Sequence, residues 1–168
     1  MKVHFVLLVV MVLGLTCQAE DVPKYAGQQK REIKALSEAE VSAYLDGRGM
    51  GLAKAAELNG YPGPAHVLDL AEKLQLTPQQ RDKAQQLKDS MKEAATLGAN
   101  LVDAECQLDV LFARGEASDE KVTPLVEQIA HLQAKIRLVH LRAHLEMRKA
   151  LTADQINKYK RQRGYAAN

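Results

Sequence analysis

Tryptophan is absent from the 168 residues, phenylalanine occurs twice, and aromatics together make up 4% of the chain. A groove that stacks on single-stranded nucleic acid needs more of them. Neither sign of charge dominates, with 23 Lys and Arg against 21 Asp and Glu. Nucleic acid is therefore not an expected partner. The basic run from Lys158 to Arg163 reads as a solvated last helical turn, where cations suit the helix dipole.

Cysteine is scarce as well: Cys17 and Cys106 are the two present. Cys17 falls in an N-terminal leader, which leaves one thiol in the body of the chain. One thiol closes no internal disulfide, so the fold must stand on helix packing. Cys106 reads as a small helix residue beside the core, with metal ligation or an intermolecular disulfide as the alternatives.

Signatures of catalysis are missing too. Gly47, Gly49 and Gly51 crowd into five residues, but no strand precedes them and no Gly-Lys-Ser/Thr follows, which excludes a phosphate-binding loop. Ser37, Ser42, Ser90 and Ser118 lie outside any nucleophile-elbow context. The chain reads as a non-enzyme with no required cofactor.

What is present begins with the leader. Lys2 precedes an apolar run from Val3 to Leu15, and small residues stand at Cys17 and Ala19. This is the pattern of a secretory signal peptide cleaved after Ala19, too short for a membrane span. The rival reading is a lipoprotein acylated at Cys17. Thr16 and Gly14 occupy the places where a lipobox carries a small residue and Leu.

Helix starts punctuate the rest. Ser37-Glu-Ala-Glu40, Thr77-Pro-Gln-Gln80 and Thr152-Ala-Asp-Gln155 are capping boxes, each with a hydroxyl at the N-cap and a long polar side chain three residues on. The first predicts a helix to about Leu45, interrupted by the glycines at 47–51. Short helices over Leu52–Leu58 and Ala65–Leu74 follow. Two long helices are predicted over Pro78–Ala113 and Asp119–Ala150, then another from Ala153. Ala84, Leu87, Met91, Ala94, Gly98, Leu101, Leu108 and Phe112 make a seam of alternating three and four spacing, with Glu105 as the exception. Leu125, Ile129, Leu132, Ile136, Val139 and Ala143 make the matching one. Their short connection around Gly115 requires antiparallel packing. The expected fold is all-α: a long antiparallel hairpin with shorter flanking helices.

Leu138, Leu141 and Leu145 lie on a second face of the later helix, roughly 150° from its seam. A helix apolar on two sides needs two partners. The candidates are an early helix, the last helix, or a second subunit.

Leu76-Thr77-x-x-Gln80 and Leu151-Thr152-x-x-Gln155 are two copies of Leu-Thr-x-x-Gln, placed around a helical hairpin behind an export signal. In this the chain resembles the Spy/CpxP family of periplasmic chaperones and the related heavy-metal resistance and sensor proteins. The resemblance covers roughly residues 64–163. It implies an antiparallel homodimer whose paired hairpins form a cradle, and a periplasmic, ATP-independent chaperone or stress-response protein that binds unfolded or misfolded clients. The alternative it implies is a periplasmic heavy-metal sensor or resistance protein with a membrane signalling partner. The chain then divides into a signal peptide (1–19), a flexible N-terminus with short helices (20–63), the hairpin domain (64–163) and a tail (164–168).

His140, His144 and Met147 stand at i, i+4 and i+7, on one helix face. With Asp89 or Glu93 from the facing helix they are a candidate mixed site for Zn, Ni, Co or Cu. The competing reading makes the two histidines hydrated flank residues and Met147 core. The resemblance places Met147 at the sensor branch's Met ligand. That branch's pair of His before the first motif is missing, since His66 stands alone there.

Overall fold

A computed structural model of the protein describes residues 23–165. The leader, Cys17 included, and the last three residues of the tail lie outside the described residues. Those described are all helical, with no strand among them. A 3₁₀ turn at Gln28–Lys30 precedes α1 (Glu38–Leu45), α2 (Lys54–Leu58) and α3 (Pro64–Asp69). The larger elements follow: α4 (Pro78–Ser90), α5 (Glu93–Ala113), α6 (Asp119–Ala150) and α7 (Ala153–Gln162).

All three capping boxes form with both bonds in place, at Ser37, Thr77 and Thr152. The first long helix departs from expectation, because it is two helices. Between α4 and α5 the ladder tightens to i→i−3 bonds, with Met91 N donating to Lys88 O and Ala94 N to Met91 O. A stretch of 3₁₀ geometry of this kind re-aims a helix without a proline. Gly47 lies against it: a Cβ there would sit 2.9 Å from Ala95 N and 3.3 Å from Met91 O. The helix expected over Ala65–Leu74 is also shorter, ending at Asp69. Gln75 turns the chain with φ +52°, and Leu76 N donates back to Ala71 O.

The hairpin packs α6 against both α5 and α4, and Gly115, at φ +69°, makes the turn. Two apolar clusters fill it. One lies at the motif end, where Val67, Leu74, Leu76, Ala84, Leu87, Met147, Leu151, Ile156 and Tyr159 meet. The other lies midway, where Ala94, Leu101, Leu132 and Ile136 are covered by Ile33 and Leu36 from the N-terminal segment. The α6 seam holds as read. On α5, Ala104 takes the buried place after Leu101, Glu105 is half-buried, and Phe112 is 62% exposed. Phe112 lies in the last turn of α5 and faces solvent.

Residues 31–63 run back over the hairpin as a strap. Its α1 crosses α5 so closely at Gly98 that a Cβ there would lie 2.7 Å from the Tyr44 carbonyl carbon. Only glycine admits that approach. From Ile33 onward this segment is packed against the core.

Candidate functional site

The two Leu-Thr-x-x-Gln motifs, far apart in the chain, meet. Thr77 Oγ1 accepts from Gln80 N at 3.2 Å, and Gln80 Oε1 accepts from Thr77 N at 3.1 Å. The second motif repeats this, with Gln155 N to Thr152 Oγ1 at 3.2 Å and Thr152 N to Gln155 Oε1 at 2.9 Å. The glutamines then bond each other. Their remaining donors reach across as well, Gln80 Nε2 to Ala150 O at 2.8 Å and Gln155 Nε2 to Leu74 O at 3.3 Å. Leu76 and Leu151 sit beneath in the apolar cluster. All six motif residues therefore form one structural joint between the starts of α4 and α7.

His140 and His144 face inward, and both are buried, His140 to 4% exposure. Neither is the hydrated flank residue that the bland sequence reading made it. Met147 is core in that same reading, and it is fully buried among the apolar side chains of the motif end. The partners of the histidines come from the strap. The His144 Nδ1–H donates to Tyr61 O at 2.7 Å. Gly63 packs on that imidazole; a Cβ there would stand 3.0 Å from His144 Cε1. His140 lies under Gly49, and its Nε2 is buried without a hydrogen-bond partner. Burial, then the neighbouring His144, hold the His140 pKa below its ordinary value.

Glu57 is the residue that sequence reasoning missed here. Its carboxylate accepts from the Tyr159 hydroxyl and from Gly63 N at 3.0 Å, with Arg163 Nε 3.7 Å away. Its Oε2 lies 3.7 Å from His144 Nδ1. Burial first, and then the bond to Glu57, push the Tyr159 pKa well up. Arg148 donates to Gly60 O and stacks its guanidinium 4.6 Å over the Tyr61 ring. These groups bolt residues 57–63 to α6 and α7. A single acid in a five-residue helix carries no periodic signal, and its hydroxyl partner lies 102 residues away.

The carboxylates expected opposite the histidines are elsewhere engaged or outside. Asp89 is taken by Gln85 at 3.1 Å and Lys92 at 3.1 Å, and Glu93 is exposed. Among the described residues, no three His, Cys, Asp or Glu side chains gather as a metal cage requires. His140, His144 and Met147 are all buried on one face of α6, and the carboxylate near them is that of Glu57.

Among the described residues, the second face of α6 is largely open. Leu138 is 46% and Leu145 47% exposed, with Leu141 half-buried between them. Among the described residues, neither the early helices nor α7 shields them. No family model, curated protein or solved structure matches the chain.

Proposed function

We propose that the protein is an exported, periplasmic, ATP-independent chaperone or stress-response protein, of the kind its paired motifs resemble, and that it works as a homodimer. The observation that carries this reading is the exposed stripe of Leu138 and Leu145, with Leu141 half-buried between them, on a hairpin whose arms are joined at the motif end. Soluble chains rarely leave a contiguous apolar stripe without a use. A rigid helix pair presenting such a stripe, with Arg137 and Arg142 beside it, suits many weak contacts with unfolded chains that expose apolar and acidic groups. The leader supplies the export signal.

Two measurements on the purified protein test this. It should suppress aggregation of a thermally unfolded test protein without nucleotide, and it should sediment as a dimer at tens of micromolar. Leu141→Glu puts a charge in the stripe and should shift it toward monomer while lowering protection. A wild-type protein that stays monomeric and protects nothing would end the reading. Dimer loss with protection intact would separate the dimer from the client surface.

The second reading is a periplasmic metal sensor or resistance protein, and one observation favours it: the unpartnered Nε2 of buried His140. Titration with Zn, Ni, Co and Cu tests it. Saturable binding abolished by replacing His140 and His144 together, and weakened by acid as imidazole protonates, is the result that reading requires.

A further inference from the structure

The strap is attached in two different ways. Residues 57–63 are bolted through Glu57, Tyr61 and Gly63 to buried groups of α6 and α7. Residues 31–46 lie over the α5–α6 seam with Ile33 and Leu36 inserted and one ion pair at the edge. In that pair Lys34 Nζ lies 2.9 Å from Asp109, and Lys34 N donates to the same carboxylate at 3.0 Å. The hydrogen bond from the Lys34 side chain holds the Asp109 pKa below the usual carboxylate range, against burial, which pushes it up. Of α1 itself, Ala43 is buried, and Val41 and Tyr44 pack partly buried against the same cluster.

The fit along 31–46 is also incomplete. A groove of about 560 Å³ runs between this part of the strap and α5, with Val102 and Cys106 on its floor. A second, of about 380 Å³, continues past Lys34 to Leu108 and Phe112. Between the two parts of the strap stand Gly47, Met50 and Gly51, with φ of +64°, +42° and +80°. Gly47 closes the end of α1, with Arg48 N donating to Ala43 O and Gly47 N to Tyr44 O, and at Met50 the left-handed conformation is strained for a side-chain-bearing residue.

We propose that residues 31–46 are a displaceable self-ligand, which swings out at Gly47–Gly51 so that an apolar client segment with a basic side chain takes its place on the α5–α6 seam. The occupant's chemistry is read from the strap. Two apolar side chains at i and i+3 fill the places of Ile33 and Leu36, and a cation between them meets Asp109. The inference rests on the client-binding reading above and adds a second, covered surface to the open stripe of α6. Residues 57–63 stay bolted, so the strap returns to its own seam.

The probe is a fluorescent peptide with the sequence of residues 31–46, added to the full protein, and the variants move one charge. Lys34→Glu turns the strap's ion pair into a repulsion while leaving Asp109 open to the peptide's lysine. Hydrogen exchange in 31–46 should be faster than in α5 and α6 in the wild type, and faster again in Lys34→Glu. Peptide affinity and aggregation suppression should both rise in Lys34→Glu by at least about threefold, the scale of an exposed ion pair lost and reversed. Adding Asp109→Lys should close the strap again and weaken the peptide, and a peptide carrying Glu at position 34 should then bind the single variant Asp109→Lys.

Strap amides that exchange as slowly as those of α5 and α6, or a peptide that ignores Lys34→Glu, would overturn the inference and leave the chaperone reading standing. So would wild-type suppression that does not rise in Lys34→Glu. Peptide binding as expected, with no suppression by either protein, would instead overturn the client-binding reading and the client as occupant with it.

Discussion

Gln80 and Gln155 face each other amide to amide, each donating from Nε2 to the other's Oε1 at 2.9 Å. Each oxygen also holds its own N-cap amide. Removing either side chain therefore strips one cap bond and leaves the other amide, partly buried, short of partners. Gln80→Ala and Gln155→Ala should each cost about 1–3 kcal/mol, the penalty of an unsatisfied buried polar group. The double variant should cost less than the sum, with a coupling of about 0.5–3 kcal/mol. Urea unfolding of the four proteins measures it, and strict additivity would mean that the two amides do not interact.

Ile136 is buried at the centre of the middle cluster, whereas Leu138, two residues on, is half out in solvent. Ile136→Ala should destabilise by about 2–5 kcal/mol, as large-to-small changes at packed sites do. Leu138→Ala should cost the monomer roughly 0.5 kcal/mol or less. Equal losses by thermal unfolding would place the wrong face of α6 inside.

Glu105 is half-buried, and burial raises its carboxyl pKa. The folded state then holds a proton in a window above the ordinary value of 4.5 where the unfolded chain has released it. Stability falls as pH rises through that window and stays lower at neutral pH. Glu105→Leu should be neutral or stabilising at pH 7, and least helpful near pH 4. Marked destabilisation at pH 7 would reveal a buried partner for the carboxylate.

For His140 the sign reverses. Its folded pKa lies below 6.5, so below that pH the unfolded chain takes up a proton that the folded one refuses. The contribution is fully present above pH 6.5 and is lost as pH falls toward the depressed value. His140→Leu should flatten this limb of the stability curve between pH 7 and 5. It should cost little at pH 8, where it removes an unsatisfied nitrogen. An unchanged acid limb in urea titrations would assign the effect to another group.

Legibility in the sequence followed the range of the interaction. The capping boxes at Ser37, Thr77 and Thr152 close within four residues, and all three were readable. The α6 seam was readable because Ile129, Leu132, Ile136 and Ala143 repeat on one helix. The α5 seam was read one residue out after Leu101. Ala104 and Glu105 both fit a three-or-four spacing, and burial favours the residue that needs no desolvation. The split at Met91 lies against Gly47 of the strap, and the surroundings of His140 and His144 come from a strap more than 75 residues earlier. Nothing local to those histidines announces Gly49, Glu57 or Tyr61, so their burial was out of reach of pattern reading.

The bond from Gln80 to Ala150 spans 70 residues, and Gly115 stands midway between them. The bend and the joint therefore act as the two fixed ends of a gauge. An insertion of one turn in α5 would carry Gln80 away from Ala150 unless α6 lengthened by the same turn. Residues added around Gly115 would leave both arms in step. Tolerance to changes in length should thus be confined to the bend, or to insertions matched between the arms.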